Sequence, residues 1–154
     1  MKRVYRILRR PYSKSPLDGE GGYRFGGRWS SVGTRLAYTA EHLSLAMIGY
    51  FVHIDREDQP RDLVVFMAEI PETVSRTSVS AKQLPENWRQ SPAPPELTEV
   101  GDGFVRDQRA AILIVPSALA PSESNWLINP QHPDYRKIRA HPATSFEYDR
   151  RFFK

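Results

Sequence analysis

Arg24 and Arg28 stand four residues apart in GGYRFGGRW, with Gly26 and Gly27 between them. A guanidinium offers parallel N–H donors to the oxygens of a phosphate or carboxylate, and glycine lets backbone N–H groups approach an anion closely. The stretch therefore suits a pyrophosphate, although it fits neither the Walker pattern nor G-x-G-x-x-G, and a tight turn with solvated arginines accounts for the same residues. Trp29, Tyr38, Trp88 and Trp126 are rings on which a base or a nicotinamide can stack, and equally the aromatics of a core. His42, Gly49 and His53 fall close to one stripe of a helix. Without cysteine or HExxH a metal site finds no support, and without a G-x-S-x-G elbow neither does a Ser-His-Asp triad.

These side chains need a scaffold, and the pattern outlines one. Lys2 to Leu8 reads as a first strand, followed by a long loop, RRPYSKSPLDGEGGYRFGG. Ala37-Tyr38-Thr39 reads as a short strand, with Thr39 as N-cap of a helix from Ala40 to about Val52. Leu43, Ala46, Met47 and Tyr50 keep helical spacing there, and Leu45 and Ile48 fill most of the rest, so the helix is expected to be buried on most sides. Asp62 to Ile70 is a strand stopped by Pro71, Ala110 to Val115 a central strand stopped by Pro116, and Asn125 to Ile128 a short strand. A short helix is expected at Ser80 to Leu84, a surface loop at SPAPPELTEVGDG, a helical turn or two in HPDYRKI and a last strand at Ser145 to Tyr148. The sum is a single mixed α+β domain of short strands with one long buried helix.

The chain has 154 residues, a net charge of +4 and a pI near 9.5. A basic surface suits nucleic acid, a phosphorylated small molecule or an acidic protein, and charge does not choose among them. No apolar run approaches the roughly 20 residues of a membrane span, and the N-terminus lacks the apolar segment of a signal peptide. A cytoplasmic protein that does not engage the membrane is the expectation.

Several stretches, taken in order, carry more than their chemistry: VYRI, RFGGRWSSVGTRLAYTAEHLSLA, FVHI, ILIVPSAL, SNWLINPQHPDY and FEYDRRFF. Together they resemble the RES-domain family, the toxin halves of bacterial toxin–antitoxin pairs. The resemblance implies one ADP-ribosyltransferase-like domain over residues 1–154. It implies NAD as substrate, held in a cleft and cleaved at the nicotinamide–ribose bond, with water, phosphate or a target protein as acceptor. The implied partner is an Xre-type antitoxin whose helix-turn-helix part binds operator DNA, the toxin reaching that DNA only through it. By the same resemblance Arg24 matches the family arginine, Arg28 is a second phosphate candidate and Tyr38 borders the nicotinamide. Ser117 in VPSA matches the family serine as a hydrogen-bonding partner in the cleft, with Ser124 and Asn125 competing for that place.

Two positions depart from the family pattern. Ser30 stands where asparagine is usual. Gly49 stands where the resemblance puts the catalytic glutamate, counting back from Val52-His53. A carboxylate beside the ribose would stabilise an oxocarbenium-like transition state. One such element is worth roughly 3–4 kcal/mol, and glycine costs a helix about 1 kcal/mol relative to alanine. Gly49 is therefore read as inactivating. The alternatives are a relocated carboxylate at Glu41 or Glu69, with Glu41 lying about 80° around the helix from position 49. A different class of function, a non-catalytic basic module for nucleic acid or an acidic protein, also fits the composition.

Overall fold

The structure, a computed structural model, describes residues 1–153. β1 (Lys2–Arg9) pairs antiparallel along its whole length with β3 (Leu63–Ile70), both rich in the β-branched and aromatic residues that strands favour. The remaining strands are β2 (Ala37–Ala40), β4 (Arg76–Ser78), β5 (Ile112–Pro116), β6 (Ser124–Ile128), β7 (Arg139–Ala140) and β8 (Thr144–Ser145). They form one sheet in the order β4-β5-β6-β2-β1-β3-β7, with β8 also on β3, and only β4–β5 is parallel. Pairing is weakest at one seam: β1 and β2 meet through the single pair Tyr5↔Ala40.

Alternation along these strands gives the sheet two unlike faces. On the back, Val4, Leu8, Ala37, Val64, Phe66, Ile112 and Ile128 belong to one core that crosses the seam. On the front the apolar residues form two separate groups. Leu113, Val115 and Leu127 pack with Trp29, Leu36, Trp88 and Leu97 on the β5–β6 side. Ile7 and Leu63 pack with Tyr148 and with residues of α2 (Leu43–Phe51) on the β1–β3 side. The front face is thus parted into two groups, one on each side of the seam.

The helices differ from expectation. α2 begins after His42, and Thr39 is no cap: it is buried in β2 and donates its hydroxyl to the Trp126 carbonyl (2.7 Å). Nor is α2 long or buried on most sides. Ala46, Met47, Tyr50 and Phe51 pack onto the sheet and Leu45 is buried, but Ile48 and Val52 are 42% and 52% exposed. Apolar residues all round a single helix laid on one sheet cannot all find cover.

The longest helix is α3 (Glu96–Asp107), in the stretch expected as a surface loop. Its prolines gather at and before the N-cap Pro95, where no helical N–H is lost, and Leu97, Val100, Phe104 and Val105 give it an apolar face. α1 (Glu20–Phe25) orders part of the long N-terminal loop. β5 is not central but next to the edge strand β4, and its apolar run reflects cover on both faces. The last strand is only Thr144–Ser145, after which the chain lifts off the sheet onto α2. No helix among the described residues is long and apolar enough to cross a membrane.

Candidate functional site

The loop between α1 and β2 packs on the β5–β6 side of the front face, and packing explains most of its glycines. Gly26 has φ +69°, a conformation that favours glycine. A Cβ on Gly27 would meet the Tyr38 hydroxyl oxygen at 2.6 Å, and one on Gly22 the Leu36 carbonyl oxygen at 2.6 Å. On α3, a Cβ on Gly101 would meet the Trp29 carbonyl oxygen at 2.0 Å, so this glycine is what lets the loop lie against the helix. Asp102 then holds the loop, accepting from the Ser31 N–H (3.0 Å), the Ser31 hydroxyl and the Thr34 hydroxyl (2.8 Å). Burial alone would raise the Asp102 carboxyl, but these donors bring it below its ordinary value. The Gly26 and Gly27 N–H groups are spent inside the loop, on the carbonyls of Gly22 (2.8 Å) and Ser30 (2.9 Å). They form no free cradle for a phosphate.

Tyr38 sits beneath this loop. Its hydroxyl accepts from the Trp29 N–H (3.0 Å) and shares a hydrogen bond with the buried Ser30 (2.8 Å). Burial pushes the phenol above its ordinary value. Arg28 lies close by, donating to the carbonyls of Trp88 (3.0 Å) and Gln90 (2.8 Å), and burial lowers its guanidinium. One nitrogen fixes the plane, leaving the other donors of the fork for a ligand. Arg24 is placed differently: its side chain is 64% exposed, bound to Glu20 (2.7 Å), which also holds Arg35.

α2 lies on the opposite side of the seam. It runs in the same sense as β1, since His42 and Leu43 lie with Lys2 and Tyr5 at one end and Tyr50 lies with Arg9 at the other. Extending the pair Tyr5↔Ala40 sets Ile7 opposite Tyr38, and Ile7 packs under α2. Gly49, near the C-terminal end of α2, therefore lies on the front side of the sheet, on the β1–β3 side of the seam. It is half-buried, one turn beyond the buried Leu45, and a Cβ built on it meets nothing within 4 Å. Of the nine glycines, it alone combines an ordinary backbone with such open space. His53 lies beyond the helix and His42 caps it, so the stripe His42, Gly49, His53 is not one helical face.

The other polar candidates are more tightly engaged. Ser117 is buried, and its hydroxyl oxygen accepts from the N–H groups of Leu119 and Ala120 (both 3.1 Å), closing the turn after β5. Asn125 faces the front by register with Ala40 and donates to the Thr39 carbonyl (3.2 Å). Ser124 has its N–H on Glu41 (2.8 Å).

Glu41 also lies 3.4 Å from Lys2, while Glu69 is held by His141 (3.2 Å) and Arg3 (4.0 Å). Both carboxylates line a pocket of about 500 Å³ at the start of β1, the end of the front face away from Gly49. Both lie at the opposite end of α2 from position 49. Glu123, hydrogen-bonded to His42 (2.8 Å), brings a third acceptor near Glu41, a grouping that a sequence separation of 81 residues hides. Asp102 and Gly101 were equally hidden, because the helix carrying them reads as loop.

A family model described as the RES domain matches residues 3–150. "Prs ADP-ribosylating toxin" of Sphingobium sp. (strain YBL2) is 34% identical over 147 residues, covering 94% of this chain and 91% of that protein. "Toxin Res" of Pseudomonas putida (strain KT2440) is 38% identical over 150 residues, covering 96% and 99%. Among solved structures, the crystal structure of the M. tuberculosis MbcT–MbcA toxin–antitoxin complex matches with a TM-score of 0.75 at 14% identity, covering 94% of this chain and 84% of that one. At that identity the likeness speaks for the fold.

Proposed function

The chain belongs to the RES domain family, and from that premise we propose that it is the toxin component of a toxin–antitoxin pair, built to bind NAD in the front cleft and disabled by glycine at position 49. With glutamate there, the reaction is cleavage of the nicotinamide–ribose bond, and the relative named as an ADP-ribosylating toxin supports NAD as the substrate. Arg28 is the arginine for the pyrophosphate, since its guanidinium is fixed beside Tyr38 whereas Arg24 points outward to Glu20. The Tyr38 ring borders the nicotinamide and Asn125 supplies a polar contact, whereas Ser117 is engaged in the turn after β5. A carboxylate on α2 faces the ribose and stabilises the positive charge that develops as nicotinamide leaves.

The observation that carries the reading is the contrast among the glycines. Gly22, Gly27 and Gly101 are required by close contacts, and Gly49 by none. Its side-chain space is open, as it would be if a longer side chain had once filled it. The partner is an antitoxin, in keeping with the toxin–antitoxin complex in which the structural neighbour was solved, and the family resemblance implies an Xre-type helix-turn-helix part for it.

The test is to express the chain and its Gly49→Glu variant from a tightly repressed promoter, with and without the antitoxin, and follow growth and cellular NAD. Growth arrest with loss of NAD from the Glu variant alone is the expected result. The products then identify the acceptor among water, phosphate and protein. If both versions are harmless and neither binds NAD, the enzyme reading fails and a basic binding module takes its place.

A further inference from the structure

The C-terminal stretch FEYDRRFF plays no part in the site as described, yet it is tied to the helix that bears position 49. β8 pairs with β3 through Ser145 and Thr144, the Arg10 guanidinium donates to the Ser145 hydroxyl (2.8 Å), and the Phe146 N–H donates to the Leu63 carbonyl (3.0 Å). From that anchor the chain rises onto α2. The Tyr148 ring, 6% exposed, packs against Phe51 of α2 (5.9 Å between centroids) and against Phe146 (4.9 Å) and Phe152 (5.3 Å). Phe51 also meets Phe152 (5.3 Å) and Phe153 (5.8 Å) edge-on. The Tyr148 hydroxyl donates to the Met47 carbonyl at 2.5 Å, two residues before Gly49.

α2 is a short helix, held on the sheet by Ala46, Met47, Tyr50 and Phe51. It spans only nine residues, contains a glycine, and buries one of its own side chains fully. A carbonyl within a helix already accepts from the N–H four residues on, and its second lone pair is free for an outside donor. A bond from a tyrosine anchored to β3 through β8 therefore fixes the position and rotation of α2 relative to the sheet. Rotation is the variable that matters, because it decides whether a side chain at position 49 points at the cleft.

We infer that Tyr148, with the aromatic cluster around it, is a positioning residue: it sets the α2 backbone so that a carboxylate at position 49 meets the ribose. This rests on the function proposed above and adds to it a part of the chain outside the cleft. Tyr148 acts on α2 from outside, through the Met47 carbonyl and the Phe51 ring.

The experiment compares three full-length chains made by cell-free synthesis: Gly49→Glu, Gly49→Glu with Tyr148→Phe, and Gly49→Glu with Phe152→Ala. Turnover of NAD, KM and the rise in Tm with added NAD are measured for each. Tyr148→Phe keeps the ring and removes only the hydroxyl. The expected result is a loss of about tenfold to a hundredfold in kcat, the scale that a displacement of about 1 Å brings, with KM and the NAD-induced rise in Tm unchanged. Phe152→Ala, at the 37% exposed rim of the cluster, gives a smaller loss of the same kind and decides the matter if the first variant does not fold. An unchanged kcat in a folded variant, or kcat and KM worsening together, overturns the positioning role while leaving NAD cleavage intact. An inactive Gly49→Glu chain that still binds NAD overturns the carboxylate assignment and this role together.

Discussion

The Tyr38 hydroxyl oxygen lies 2.6 Å from the point where a side chain on Gly27 would begin. The second glycine of RFGGRW is thus the complement of a phenol eleven residues on. It brings the loop down until the Trp29 N–H reaches that oxygen and Arg28 comes to rest beside it.

Gly27→Ala should accordingly destabilise the protein by about 1–3 kcal/mol, the usual cost of overpacking, and should weaken NAD binding by displacing Arg28. Gly101→Ala should act in the same direction through the Trp29 carbonyl. Chemical denaturation checks the first effect, and the NAD-induced change in Tm checks the second. A neutral Gly27→Ala would show that the Tyr38 ring has room to move.

Gly49→Ala should do the opposite. Its Cβ meets nothing within 4 Å and the position is helical, so the substitution should stabilise by about 1 kcal/mol. For a chain of this size that is a rise in Tm of roughly 2–4 °C. No activity should accompany it, because alanine brings no carboxylate. Stabilisation by alanine with activity from glutamate alone would separate the structural and chemical parts of this position.

Arg24 and Arg28 should part company on substitution. Arg24→Ala removes only an exposed, solvent-screened ion pair and should leave the NAD-induced rise in Tm intact. Arg28→Lys keeps the charge but loses the planar fork and its two carbonyl acceptors. It should abolish most of that rise. The reverse outcome would return the anion-binding role to Arg24.

Stability at high pH should report on Tyr148. Burial, reinforced by Tyr50, pushes its hydroxyl up to about 12. The folded chain thus favours the protonated phenol more than the unfolded chain does. That contribution is complete below the ordinary tyrosine value near 10 and is lost as pH rises from there toward 12. Over this window the Tm of the parent should fall more steeply than that of Tyr148→Phe. Parallel curves would mean that the hydroxyl is not held as described.

Much of this could be read along the chain. β1, β2, β3 and β6 follow from alternation and from stops such as Pro71, and Arg28, Tyr38 and position 49 lie within one ordered run of motifs. α3 was hidden because prolines crowd its start and two glycines interrupt it, although one of those glycines is there to receive Trp29. The choice between Arg24 and Arg28 needs a third dimension, since what separates them is which neighbour each one meets. Asp102 and Tyr148 act across 71 and 101 residues, and no local spacing announces either.

The single pair joining β1 to β2 has a mechanical meaning. Behind it the core is continuous, and in front it is parted, so the sheet resembles a book bound along its back and open at its fore-edge. The gape of the pages is governed by how thickly the spine is filled. Ala37 sits in that spine, almost fully enclosed, directly behind the seam. A bulkier residue there would press on the spine from behind, and so act on the spacing of the two front groups without touching either.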